Sequence, residues 1–129
     1  VPVNELTDEH LIAEYRELPR VRHAYPRKHA PNIPDHYKMG RGHCTFFYDK
    51  GAWLERRHSE IIDEMRRRDI MVNLPKLDLS HWPEEAMNDW KVTLDAMLIN
   101  RNRIAERIND KPDFYHYYNE PISEYFTAI

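Results

Sequence analysis

Arg16, Glu17 and Arg20 set one carboxylate between two guanidinium groups near the start of the chain. Taken alone, Arg-Glu-x-x-Arg at a helix end usually means surface ion pairing, which contributes about 0–1 kcal/mol. The rarer meaning is a working carboxylate with charged helpers. Arg103 and Arg107 lie four apart, so on a helix they share one face. The eight histidines raise metal binding, yet none stands in His-x-x-x-His spacing. A single cysteine, Cys44, excludes every multi-cysteine zinc framework, so no metal is expected. Cys44 follows His43, but no third group is visible to orient the pair, and a packed small residue is the simpler reading. His81 beside Trp82 and His116 between tyrosines read as packing or surface residues. Phe46, Phe47 and Tyr48 are better read as core than as a base-stacking platform. Phe114 through Tyr118 lie near the chain's end, where exposure is common, and both readings stay open there.

These residues need a scaffold, and the composition points to helices. Gly is scarce, at 3, and Pro is frequent, at 9, which favours helices punctuated by prolines. A first helix is predicted from about Thr7 to Leu18, with Asp8 and Glu9 in its first turn and Leu11, Tyr15 and Leu18 facing the core. Pro19 disfavours helical geometry just beyond. Residues 24–42 read as a loop carrying Pro26, Pro31 and Pro34. A second helix is predicted from about Gly51 to Arg68, with Leu54, Ile61, Ile62 and Met65 as its stripe. Residues 69–89 read as irregular. A third helix, from about Asp89 to Asn109, carries the clearest periodicity: Trp90, Leu94, Met97, Leu98, Arg101, Ile104, Ala105 and Ile108. The predicted fold is all-α: a compact single domain spanning residues 1–129, with three main helices, long irregular connections and an aromatic C-terminal tail.

The bulk numbers bound the setting. Hydrophobic residues make up 41% and charged residues 32%, as in a soluble globular protein. No apolar run is long enough to span a membrane and no leader is visible, so no membrane partner is expected. The lone thiol suits a reducing, cytoplasmic compartment. Net charge is −3, but residues 16–68 carry 13 Lys/Arg against 7 Asp/Glu. A polyanionic partner would prefer that stretch. The plainer reading of any one cluster, such as Arg66-Arg67-Arg68, is a solvated helix end.

Two segments, His10 through Val21 and Gly42 through Lys50, resemble the pyrimidine-dimer DNA glycosylase/AP lyase family, the endonuclease V type of phages. Arg27-Lys28-His29 and Arg103 through Ile108, leading into Lys111-Pro112 and the aromatic tail, extend the resemblance in the same order. It implies a DNA-repair enzyme that acts on ultraviolet-induced pyrimidine dimers in duplex DNA. An amine attacks the anomeric carbon of deoxyribose, a Schiff base replaces the base, and β-elimination nicks the strand. Such an enzyme needs no metal or organic cofactor and would work as a monomer on damaged double-stranded DNA, with a phage-infected host cell among its settings. The resemblance assigns Glu17 to the catalytic carboxylate, and His10, Arg16, Arg20, Arg103 and Arg107 to DNA contacts. The nucleophile is the chain's first amine, which is Val1 if that residue is the terminus.

The chemistry fits an α-amine. With a pKa of about 7.7–8.0, roughly a tenth of it is neutral at pH 7, where a lysine at about 10.4 is almost fully protonated. The sequence also departs from the family. Its members begin with a Thr-Arg segment, whereas the matching region here starts later, at Val1-Pro2-Val3, as in a processed or trimmed chain; Glu9 stands where phage members carry an amide, and Arg107 replaces a lysine. With the acidic balance, these departures motivate an alternative: a catalytically silent relative serving as a nucleic-acid-binding or structural module.

Overall fold

A computed structural model describes residues 1–24, 36–39 and 43–122 of the chain. The prolines at 26, 31 and 34, the Arg27-Lys28-His29 block, Gly42 and the Cys44 side chain lie outside the described residues. The protein is mainly helical, with three main helices and one small two-stranded sheet.

Helix α1 spans Asp8–Glu17. Thr7 caps it, its hydroxyl accepting the His10 N–H at 3.0 Å, and Asp8 and Glu9 meet the positive end of the helix dipole. Leu11 and Tyr15 are buried on one face. At Pro19 the α-helical ladder gives way to the tighter 3-10 helix Leu18–Ala24. A one-turn helix, α2, covers His43–Phe46 and buries Phe46; Phe47 just beyond it is buried too.

Helix α3, Gly51–Arg67, is the central beam. Its expected stripe, Leu54, Ile61, Ile62 and Met65, is wholly buried, each side chain contributing about 1.5–3 kcal/mol. Gly51 starts α3 where a Cβ would strike the Met87 side chain and lie 3.2 Å from the Ala86 carbonyl oxygen. The helix ends in a Schellman motif: Ile70 N–H donates to Met65 O at 2.8 Å and Asp69 N–H to Arg66 O at 3.1 Å. Asp69 takes the left-handed position, φ 59°.

α1 packs on α3, and the irregular stretch behind them completes the core with Leu77, Leu79 and Trp82. The Tyr15 hydroxyl anchors that stretch, accepting the N–H groups of Asn73 and Leu74 at 2.7 and 2.6 Å.

Helix α4 departs from expectation. It spans Leu94–Asp110 and starts five residues late, because the Thr93 hydroxyl caps it by accepting the Ala96 N–H at 3.0 Å. Its buried side is also rotated. Ala96, Met97, Asn100, Ile104 and Ile108 are buried or half-buried, whereas Leu94, Leu98, Arg101 and Ala105 are exposed.

The aromatic segment after α4 folds back as a hairpin, with β1 His116–Tyr117 antiparallel to β2 Glu120–Pro121. Tyr118 and Asn119 both have positive φ, 51° and 66°, as a type I′ turn requires. The Asp8 carboxylate accepts both turn N–H groups, at 3.1 and 2.8 Å, which ties the hairpin to the start of α1. Among the described residues no helix is long and apolar enough to cross a membrane.

Candidate functional site

A cleft of about 510 Å³ opens where the chain's first residue meets α1, α3 and α4. Glu14 and Glu17, one turn apart on α1, line one side, and Arg57 of α3 and Asn100 of α4 line others. The remaining wall is aromatic. Phe47 stacks on Trp53 with centroids 5.0 Å apart, and Tyr37 stacks on Trp90 at 5.8 Å. Burial, with the Glu14 charge adding to it, pushes the Tyr37 phenol up to about 12, so it stays neutral at any working pH.

The α-amine of Val1 lies at this cleft and donates to Asn100 Oδ1 at 3.2 Å. Burial lowers its pKa below the ordinary α-amine value, and the Arg57 charge lowers it further against the opposing pull of Glu14 and Glu5. Arg57 grips Glu14 as a fork, its Nη2 2.9 Å from Oε2 and its Nε 3.2 Å from each carboxylate oxygen. Its Nη1 donates to the Val1 carbonyl at 2.7 Å.

A family model for pyrimidine dimer DNA glycosylases matches residues 1–78. The chain belongs to this family. The match covers Val1, α1 and α3, and ends before α4, so Asn100, Arg103 and Arg107 lie beyond it.

The residues expected to carry glycosylase chemistry fall into separate groups. Val1 and Glu17 line the same cleft. Glu17 is exposed there, and its side chain has no hydrogen bond or ion pair among the described residues. Arg16 and Arg20 are exposed, on the last turn of α1 and on the 3-10 helix that follows, and do not line the cleft. His10 stacks flat on Tyr115, with centroids 4.8 Å apart and planes within 5°, and its Nδ1 shares a 2.6 Å hydrogen bond with the Thr7 hydroxyl. Burial lowers the His10 pKa, and the charge of Arg107 acts in the same direction. Arg103 is exposed, 3.4 Å from Glu106 one turn on. Glu9 is spent internally, accepting the His116 backbone N–H at 2.6 Å and lying 2.9 Å from its Nδ1. Among the described residues no group of three or more His, Cys, Asp or Glu side chains could hold a metal ion.

Sequence reasoning missed Arg57, Glu14 and Asn100. A signal for Arg57 existed: it sits three residues after Leu54 and four before Ile61, on the buried stripe of α3. A guanidinium on such a face must find a carboxylate and carbonyls. Glu14 had the weaker signal of standing one turn before Glu17. Asn100 had none.

Proposed function

We propose that this member of the pyrimidine dimer DNA glycosylase family is a bifunctional glycosylase/AP lyase acting on ultraviolet-damaged duplex DNA. The observation that carries the proposal is the exposed carboxylate Glu17 lining a cleft that Val1 also reaches, in a chain whose residues 1–78 match the family model. The neutral amine of Val1, where Val1 is the chain's first residue, attacks C1′ of the deoxyribose. The C1′–base bond breaks with its electron pair leaving on the pyrimidine; the C1′–O4′ ring bond then opens, O4′ taking the proton the amine has lost, and leaves an iminium at C1′. Glu17 faces the positive charge that develops and takes the C2′ proton, and β-elimination then expels the 3′ phosphate. Arg16, Arg20, Arg103, Arg107 and His10 hold the DNA backbone. A lesion that is already poorly stacked lowers the cost of opening the duplex to reach the sugar.

The test is borohydride trapping on dimer-containing duplex in EDTA, with wild type beside Glu17→Gln. Wild type is expected to form a covalent adduct. Glu17→Gln should bind DNA at least as tightly, because a negative charge near phosphates is gone, and nick about a hundred- to ten-thousand-fold more slowly. Near-normal nicking by Glu17→Gln removes the assigned role. Absence of any wild-type adduct, with residues ahead of Val1 excluded by intact mass, leaves the silent DNA-binding module as the reading.

A further inference from the structure

The Thr7 hydroxyl meets His10 twice. Its oxygen accepts the His10 backbone N–H at 3.0 Å, which caps α1. The same oxygen lies 2.6 Å from Nδ1 of the His10 ring. A hydroxyl has one hydrogen to give. Thr7 is 3% exposed, and among the described residues its hydroxyl has no acceptor except Nδ1. Were Nδ1 protonated, two N–H groups would face one oxygen, and the hydroxyl hydrogen would be buried without a partner, which is costly. The hydroxyl therefore donates to Nδ1, and the uncharged ring carries its proton on Nε2. A threonine serving the helix alone would need only to accept.

The surroundings fix the ring as well as its tautomer. Tyr115 lies flat on it, with centroids 4.8 Å apart and planes within 5°. Glu9 holds the Tyr115 segment by accepting the His116 N–H at 2.6 Å. The charges that face the ring are Glu9 and Glu14 of α1 and Arg107 of α4. Burial, helped by Arg107, outweighs the two carboxylates and holds the ring below its ordinary pKa of 6.5. Nε2 has no hydrogen bond among the described residues and is not sealed from solvent. An open N–H donor close to an arginine suits an anionic oxygen.

We propose that Thr7 is a positioning residue for His10: its hydroxyl fixes the ring proton on Nε2 and leaves that N–H open to a phosphate oxygen of the DNA backbone. The proposal rests on His10 contacting DNA, as in the function proposed above.

The experiment compares wild type, Thr7→Ser and Thr7→Asp, each alone and with His10→Phe, which keeps a ring against Tyr115 but has no N–H. Threonine, serine and aspartate all cap a helix, so a purely structural Thr7 predicts three similar proteins. Aspartate accepts but cannot donate. In Thr7→Asp the uncharged ring must therefore hold its proton on Nδ1 and leave Nε2 bare. The added carboxylate raises the His10 midpoint, and below that midpoint the imidazolium regains its Nε2–H. Two readouts are taken. Imidazole nitrogen NMR reports the tautomer. Affinity is measured on a duplex carrying a tetrahydrofuran abasic site, which no amine can cleave.

Wild type and Thr7→Ser are expected to show the Nε2–H form, and Thr7→Asp the Nδ1–H form once its ring is uncharged. At about pH 8.5, His10→Phe should weaken binding about tenfold in wild type and Thr7→Ser but hardly at all in Thr7→Asp. At about pH 6 the same change should again cost Thr7→Asp about tenfold. A wild-type ring with its proton on Nδ1 overturns the inference. So does an equal cost of His10→Phe in all three backgrounds at the higher pH. Should Thr7→Asp not fold, the wild-type and Thr7→Ser spectra still decide the tautomer, and no loss from His10→Phe in wild type overturns the contact. A wild type that binds through the Nε2–H of His10, yet gives neither borohydride adduct nor nick on dimer-containing DNA, overturns the proposed function and leaves this inference standing.

Discussion

Two arginines, Arg57 within α3 and Arg68 at its C-terminal cap, stand about three turns apart and do related work at opposite ends of the chain's first segment. Arg68 is fully used. Its Nη1 donates to Leu6 O at 2.7 Å and Asp8 Oδ1 at 3.0 Å, its Nη2 to Val3 O and Asn4 O, and its Nε to Glu64 at 2.9 Å. The rings of Tyr117 and Tyr118 lie 4.8 Å from its guanidinium carbon. The Glu64 carboxylate is equally occupied, accepting from Arg67, Arg68 and the Tyr118 hydroxyl at 2.9, 2.9 and 2.6 Å. Arg57 also pairs with a carboxylate and a backbone carbonyl of the first segment, but its cluster opens onto a cleft. The same side-chain chemistry closes the fold at one end and leaves an open cleft at the other.

Breaking the closed end should cost the most. Arg68→Met leaves Glu64, 1% exposed, as a buried charge that has lost its one buried cationic partner among the described residues, and stability should fall by about 3–5 kcal/mol in urea unfolding. Converting Glu64 to Leu in the same chain should restore a large part of that loss, since no buried charge remains. The same removal at the open end should cost far less, because Glu14 is a third exposed and can rehydrate. Equal losses from Arg68→Met and Arg57→Met would erase the contrast.

The two ends also differ in pH response, and His58 between them sharpens the difference. Burial raises the pKa of Glu64, but hydrogen bonds from Tyr118, Arg68 and Arg67 outweigh it, so the folded value is depressed. Its stabilisation is present above the unfolded value of 4.5 and lost as pH falls through the lower folded value. Where Val1 is the chain's first residue, burial and Arg57 depress its amine, so between its folded value and 8.0 the unfolded chain binds more protons and stability rises with pH. His58 is buried on α3, its Nε2 has no partner among the described residues, and burial depresses its pKa. Its neutral form is favoured in the fold, so stability falls as pH drops through 6.5. His58→Leu should remove that slope and hold or raise neutral-pH stability by about 1 kcal/mol. A slope below pH 6.5 as steep as wild type's would assign it to His10, also depressed by burial, instead.

How much of this could be read from the sequence follows from which residues obey their element's period. α1 and α3 were legible within a residue because caps, prolines and an apolar stripe agreed. α4 was the most periodic segment, yet its exposed side carries Leu94, at 70% exposure, and Leu98. Two overlapping stripes exist there, and periodicity cannot say which one docks; Ala96, Asn100, Ile104 and Ile108 face inward because a small and a polar residue fit beside the cleft. Glu17 and Val1 came from the family resemblance, whereas Arg57 and Arg68 interrupt a buried face and could have been questioned on that ground alone. Partners such as Val1 O or Leu6 O are backbone atoms distant in sequence, and no local pattern names them.

Neither arginine cluster tests the charges proposed to meet DNA, so Arg20 and Arg103 form the next comparison. Both are exposed, Arg103 with only the loose Glu106 contact. If both meet phosphates, Arg20→Ala and Arg103→Ala should each flatten log K against log salt by roughly one unit while thermal stability holds. Unchanged slopes in both variants would mark them as solvated helix charges. A change in Arg20 alone would separate the segment matched by the family model from α4.

The smallest expected effect tests whether the two ends of α3 are independent. Asp69 holds the left-handed position of the Schellman motif one residue beyond Arg68, a conformation that costs a side chain more than it costs glycine. The residue is exposed and its contribution here is backbone geometry. Asp69→Gly should therefore stabilise the chain by about 0.5–1 kcal/mol, less what glycine adds to the freedom of the unfolded state. The hydrogen bonds from Ile70 and Asp69 N–H groups to Met65 and Arg66 remain available to glycine, so the Arg68 cluster keeps its place. The cleft, about three turns away, should not register the change. Trapping and nicking rates of Asp69→Gly are expected to equal wild type. A shift in either would mean that α3 transmits strain from its closed end to its open one, and that the division drawn between Arg68 and Arg57 is a difference of degree.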